Sequence, residues 1–320
     1  MTMIGHDEVW REWRAALASS RMHHGWILSG LRGIGKGSFT LAAAAELVAE
    51  HGIAQPRPGA HPDIITLEHL PANDDEEKKR AEGKPFQTKR NITIDQIRRM
   101  QQRLVTRPTL GSRRVIIINP ADDMEKNAVN ALLKSLEEPP VGTFFLLVAH
   151  RPGRLLPTIR SRCRVLRFAP LSAAAVAEIL AREAPEADPA TRAAAVAAAD
   201  GSPGAALEFV GQELGALHKL MLQLLHEGDE SFALRGALAE EIGARPDRER
   251  MQAAVELARA VLAAELGGAS RERQGRIIEA HGELVRFGGQ LPTYNFDPGL
   301  AVMEIGGLLA SAAAPREAAA

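Results

Sequence analysis

The chain has 320 residues, with 39 Lys and Arg against 40 Asp and Glu, and one cysteine, Cys163. Charge near zero speaks against a protein built chiefly to hold a polyanion, and a lone cysteine excludes an intrachain disulfide and a cysteine-rich zinc site. The length allows two or three domains. The first ten residues lack the apolar core of a signal peptide and no run approaches the roughly 20 apolar residues of a membrane span, so the expectation is a soluble, cytoplasmic protein with no membrane contact.

Residues from Ile4 to Met22 carry Val9, Trp10, Trp13, Ala16 and Leu17 at helical spacing, with Arg11, Glu12 and Arg14 on the other side, and predict an amphipathic helix. His23-His24 has no second Cys or His pair at ligand spacing and reads as part of a loop or helix end. Trp26-Ile27-Leu28 is a strand, followed by Gly30-Leu31-Arg32-Gly33-Ile34-Gly35-Lys36-Gly37-Ser38 and a helix from Phe39. Strand, glycine-rich turn and helix in that order form a phosphate cradle, in which converging backbone N–H groups and a helix N-terminus hold anionic oxygens. Gly30, Gly33, Gly35 and Lys36 are its candidate nucleotide-binding residues. The motif asks for Ser or Thr directly after the lysine, to ligate the Mg²⁺ of a nucleotide, and Gly37 stands there. Ser38 is one residue late, about 100° round the helix.

A Pro/Gly-rich connection precedes the short strand Asp63-Ile64-Ile65-Thr66-Leu67. The stretch from Pro71 to Asn91 is charged, lacks apolar periodicity and reads as a solvated loop. Thr93 caps a predicted helix through Ile94, Ile97, Met100 and Leu104. Val115-Ile116-Ile117-Ile118 suits a strand buried on both faces. A helix through Val129, Leu132, Leu133 and Leu136 stops at Pro139-Pro140, and Thr143 to Ala149 and Arg164 to Phe168 are the last two strands. Five strands alternating with helices predict a parallel α/β sheet within the first 169 residues.

Beyond Pro170 the composition turns to alanine-rich helix. Helices are expected from Ser172 to about Arg182, from Pro189 to about Ala199 and from Gly201-Ser202-Pro203-Gly204 onward, then longer amphipathic ones to about Ser311, with a frayed tail over Pro315 to Ala320. The expected domains are 1–169 (α/β), 170–211 (small helical) and 212–320 (larger, all-α).

Asn130-Ala131-Leu132-Leu133-Lys134-Ser135-Leu136-Glu137-Glu138-Pro139-Pro140, followed about two dozen residues later by Ser161-Arg162-Cys163, resembles the signature of the clamp-loader AAA+ family. The segment from Ile4-Gly5-His6 to the glycine-rich turn fits as well. Essentially the whole chain is similar to the delta-prime subunits of bacterial DNA polymerase III, more weakly toward the C-terminus, where Asn295-Phe296-Asp297 looks like the family's Asn-Leu-Asp. The resemblance implies a P-loop AAA+ domain with a parallel five-stranded sheet, a small helical lid domain and an all-α C-terminal collar domain.

The same resemblance tests the catalytic positions. Active relatives end the third strand with Asp-Glu, and here Asn119-Pro120 stands there, with Asp122 and Asp123 beyond the strand end. Ala149-His150 replaces a threonine-rich sensor, and Gly204 stands in the place of an arginine that touches the γ-phosphate. The resemblance therefore implies a subunit with no ATPase activity of its own and no cofactor. Arg162 is present, and in the family this arginine reaches the ATP of a neighbouring subunit. Where relatives place four zinc-binding cysteines this chain has none, only His51, His61 and His69 nearby, so no metal is expected.

The implied function is a clamp-loader subunit of the DNA polymerase III holoenzyme (a DNA-directed DNA polymerase, a nucleotidyltransferase), acting in DNA replication. The implied partners are the gamma/tau ATPase subunits and the delta subunit in a hetero-pentameric ring, with the sliding clamp and primed DNA met through the complex. Two alternatives stay open on sequence: an active ATPase motor subunit recruiting Asp122 or Asp123, and a stand-alone DNA-binding AAA+ module.

Overall fold

Each of the five apolar runs is a strand in the computed structural model, which describes residues 4–19, 21–291 and 296–313. The strands are β1 Gly25–Ser29, β2 Ile64–Leu67, β3 Arg114–Ile118, β4 Thr143–Ala149 and β5 Arg164–Arg167. All pair in parallel, in the order β2-β3-β4-β1-β5. Parallel neighbours need crossovers, and helices supply them: α1 Asp7–Leu17, α2 Lys36–Val48, α3 Asp74–Ala81, α4 Ile94–Leu104, α5 Lys126–Glu137 and the short α6 Pro157–Arg160.

The period-2 alternation of each strand feeds two separate cores. Ile116, Ile118, Phe145 and Leu147 point to one face and pack with Ile97, Met100, Leu132 and Leu136 of α4 and α5. Val115, Ile117, Leu146 and Leu28 point to the other and pack with Trp13 of α1 and Phe39, Ala43 and Leu47 of α2. Both faces of β3 are therefore dry, which explains why it is β-branched at four consecutive positions and shows no polar alternation. Trp13 meets Trp26 edge-on at 5.6 Å between ring centroids, a geometry that contributes about 0.5–1.5 kcal/mol beyond burial.

The first helix is shorter than its periodicity suggests, starting after His6, whose backbone is left-handed (φ 63°). The stretch 71–91 is also more ordered than the expected solvated loop. Asn73 caps α3 by accepting the N–H groups of Asp75 and Glu76, and four acidic residues then three basic ones along the helix match its dipole. The excursion is closed at its base, where Ala72 N–H donates to Gln87 O and Lys89 N–H to Leu70 O. Glu76 is buried and accepts Gln87 N–H at 2.6 Å. Caps and charge order rather than an apolar stripe make this helix, so hydrophobic periodicity does not reveal it.

The chain divides into two compact units, 1–171 and 172–320. The second is all helix: α7 Ala173–Glu183, α8 Pro189–Ala198, α9 Pro203–Gly211, α10 Gly215–Glu227, α11 Ala233–Ile242, α12 Arg248–Glu265, α13 Arg271–Gln290 and α14 Pro298–Ser311. Side-chain N-caps start six of these, from Ser172, Asp188, Ser202, Asp247, Ser270 and Asp297. Arg273 of α13 ties the ends of its neighbours by donating to Ala312 O (3.2 Å) and Leu225 O (3.3 Å) and pairing with Glu265 (3.3 Å). Asn295 and the 315–320 tail lie outside the described residues.

Candidate functional site

The glycine-rich turn leaves the C-terminal end of β1 and enters α2 at Lys36. Gly33 and Gly35 have φ of 76° and 100°, the left-handed region that glycine occupies without steric cost. Gly30 is required for a different reason. A Cβ there would stand 2.6 Å from the carbonyl oxygen of Phe168, just past β5. His6, 28 residues upstream, braces the turn through a 2.8 Å contact from its Nε2 to Ile34 O.

Lys36 folds back into the turn it belongs to. Its Nζ donates to Gly30 O at 2.7 Å and Leu31 O at 2.6 Å, and the residue is only 2 % exposed. Burial lowers its pKa to about 8, against a weaker opposing pull from Asp122. Gly37 faces the third strand's end, where a Cβ would lie 3.5 Å from Asn119 Nδ2, whereas Ser38 is exposed. Among the described residues, the neighbour within 4 Å of that Cβ position is this amide and not a carboxylate. Glycine, asparagine and proline at Gly37, Asn119 and Pro120 do not fit a Mg²⁺–nucleotide, since none supplies an anionic oxygen.

Asp122 and Asp123, the acids past the strand end, both have partners on neighbouring elements. The Asp122 carboxylate is buried and accepts the backbone N–H of His150 at 3.0 Å and of Arg151 at 2.9 Å. Asp123 lies 3.5 Å from His69 and 3.4 Å from Arg151. Burial pushes the Asp123 carboxyl up, but His69 and Arg151 outweigh it and hold it below the usual carboxylate value. His150 is driven down to about 4 by burial first and by Lys36 second, so it is neutral at pH 7. Its Nδ1 is buried without a hydrogen-bond partner among the described residues. Gly204 occupies the first turn of α9, which Ser202 caps through Ala205 N–H.

His23, His24 and His61, raised by the sequence, have structural partners, and His51 is exposed. His23 and His24 stack at 4.6 Å, with ring nitrogens on Gly25 and on Leu136 O. His61 is buried between Gln55 Oε1 (2.7 Å) and Asp63 N–H (3.0 Å). Among the described residues no three His, Cys, Asp or Glu side chains converge as a metal site would require.

Arg162 sits at the other end of the sheet. β5 pairs with β1 in the register Trp26↔Arg164 to Ser29↔Arg167, so the turn carrying Arg162 precedes the strand start while the glycine-rich turn follows a strand end. About six residues of strand rise, roughly 20 Å, separate the two. The backbone of the arginine turn is fixed: Arg162 N–H donates to Ile159 O at 3.1 Å, and Gly25 lets Arg162 O and Cys163 Sγ approach β1, to 3.1 and 3.0 Å from where a Cβ would be. Burial pushes the Cys163 thiol up to about 12, which makes it an inert filler. The guanidinium points outward, donates to Thr158 O at 3.0 Å and pairs with Glu137 Oε1 at 2.7 Å. Glu137 ends α5 and lies inside the helix motif, yet nothing in that motif marks it as the partner of Arg162.

The family described as DNA polymerase III, delta subunit, matches residues 5–172. The DNA polymerase III subunit delta' of Pseudomonas aeruginosa is 36 % identical over 217 residues, covering 62 % of this chain and 61 % of that protein. The subunit delta' of Escherichia coli is 31 % identical over 241 residues, covering 71 % and 67 %. The chain thus aligns with somewhat under two thirds of the Pseudomonas relative. In fold it is similar to a DNA polymerase III gamma subunit-related protein of Thermotoga maritima, with a TM-score of 0.50 at 19 % identity over 95 % of this chain and 98 % of that one.

Proposed function

The chain belongs to the DNA polymerase III, delta subunit family, and from that premise we propose that it is a non-hydrolysing, delta-prime-like subunit of a clamp loader. Its degenerate nucleotide loop is a structural turn, and its chemical contribution is Arg162, presented to ATP held by an adjacent ATPase subunit. One observation carries the reading: an outward guanidinium on a rigid turn at one end of the sheet, and at the other end a loop whose lysine is engaged by its own carbonyls and whose Gly37 faces the amide of Asn119. A fixed guanidinium stabilises charge on a transferring phosphoryl group, an effect of about 10³–10⁵ in rate in related enzymes.

The neighbours in this reading are gamma/tau ATPase subunits on one side and a delta subunit on the other, in a five-membered ring that places a sliding clamp on primed DNA in the cytoplasm. Within 172–320, helices α7 to α9 act as a lid, and the helices from residue 212 onward form the collar through which the ring is held.

Reconstitution with gamma/tau and delta subunits tests this. Arg162→Ala is expected to slow ATP turnover at the adjacent site by at least a hundredfold and to reduce clamp loading, with assembly retained. Unchanged turnover would refute the reading.

A further inference from the structure

Glu137 is in an electrostatically poor place. It is the last residue of α5, where unpaired carbonyls and the negative end of the helix dipole disfavour a carboxylate. A second acid, Glu138, follows directly. Burial does not account for the position either, because the Glu137 side chain is 47 % exposed. The guanidinium that offsets this charge is Arg162, with Nη2 at 2.7 Å from Oε1.

The remaining contacts of Arg162 belong to its own turn. Nη1 donates to Thr158 O at 3.0 Å and lies 3.4 Å from Ser161 Oγ. Those contacts travel with the turn, whereas Glu137 anchors the guanidinium to a different element. The pair lies near the surface, with the arginine side chain 35 % and the glutamate side chain 47 % exposed. Exposed pairs are weak and reversible in water, and a two-pronged Arg–phosphate contact is stronger.

We propose that Glu137 is a holding partner for Arg162, keeping the guanidinium on this chain's surface until phosphate oxygens presented by an adjacent subunit displace it. The inference rests on the reading of Arg162 given above. A carboxylate carries one negative charge, and a nucleotide's terminal phosphates carry more, so the exchange runs toward the phosphate once the neighbour is loaded. Because the ion pair must break at each engagement, Glu137 competes with nucleotide for the same guanidinium. It is a positioning residue and touches no reacting atom.

Glu137→Gln removes the charge and keeps the shape. In the reconstituted complex, ATP titrations of this variant are expected to show a half-saturating concentration about two- to fivefold lower than wild type, the range an exposed pair can supply. The maximal rate should change less than the half-saturating concentration. Raising salt from 0.05 to 0.5 M should shrink that difference, because screening weakens the competing pair. Glu137→Asp should fall between the two, and Glu137→Gln/Arg162→Ala should match Arg162→Ala alone. Thermal melts of each variant confirm that the fold is kept.

An unchanged half-saturation in Glu137→Gln, alongside slowed turnover in Arg162→Ala, would overturn the holding role and leave the arginine's role standing. A lower maximal rate in Glu137→Gln would also overturn it, because Glu137 would then help the engaged state. Wild-type turnover in Arg162→Ala would instead remove the functional reading on which the inference rests.

Discussion

Asp122 and His150 are joined through the backbone: the carboxylate of the first accepts the N–H of the second at 3.0 Å, and its other oxygen accepts Arg151 N–H at 2.9 Å. This acid, which acts electrostatically on Lys36, thus holds the end of β4 against the loop after β3.

Asp122→Ala leaves two N–H groups of that turn without their acceptor. It should cost about 1–3 kcal/mol of stability, read from urea unfolding, because two hydrogen bonds to a charged acceptor are lost. If Asp122 instead served as a metal ligand, the variant would lose Mg²⁺-dependent turnover while keeping its stability.

Lys36 gives the stability a pH signature. Its folded pKa, about 8, lies below the ordinary lysine value. The unfolded chain therefore binds more protons between about pH 8 and pH 10.5, and stability rises with pH across that window. The penalty is fully present below pH 8. Lys36→Met should lack this rise, so the difference between variant and wild type in denaturation midpoint should change from pH 7.5 to pH 10. The Cys163 thiol, pushed up to about 12, acts in the opposite direction at the alkaline end and is common to both proteins.

Gly37→Thr restores the hydroxyl that the phosphate motif asks for. The added Cβ would meet Asn119 Nδ2 at 3.5 Å, an ordinary contact, and replacing a helical glycine gains a few tenths of a kcal/mol. The variant should melt at or slightly above the wild-type temperature and still not hydrolyse ATP, since Asn119 and Pro120 supply no carboxylate. Mg²⁺-dependent turnover by purified Gly37→Thr would contradict the account of the loop.

Asp63 and Arg114 form a buried ion pair at 3.4 Å, and the Asp63 carboxylate also accepts Thr109 and Leu110 N–H at 2.8 Å. Burial pushes the carboxyl up, but those N–H groups and the guanidinium outweigh it and hold the pKa below the usual value. Stability from this group is fully present above about pH 4 and is lost as pH falls through the folded value. Asp63→Asn should cost about 3–5 kcal/mol at pH 7 and flatten the acid limb of a stability profile, as measured by denaturation from pH 2 to pH 7.

How much of this the sequence discloses depends on the kind of force involved. The five strands are legible because β-branched and aromatic runs bounded by Gly and Pro have few other places to go. Helix α3 is not, since Asn73 and the order of its charges hold it without an apolar stripe. The glycine-rich turn is legible as a motif, and its missing hydroxyl and acids by comparison with the family's pattern. The closing of Lys36 onto Gly30 O and Leu31 O is not, because backbone carbonyls leave no residue-type signal. The same applies to His6, whose partner at Ile34 is a carbonyl 28 residues away.

The register of β5 against β1 gives the molecule a direction. Arg162 leads into one strand and the glycine-rich turn leaves the adjacent one, so the arginine cannot serve the loop of its own chain. On the proposed function, units built this way associate head to tail, each completing the next. A member that keeps the arginine and lacks a competent loop can complete a neighbour but cannot itself be completed in the same way. On that reading the run of hydrolysing sites, rather than the ring itself, stops at this chain.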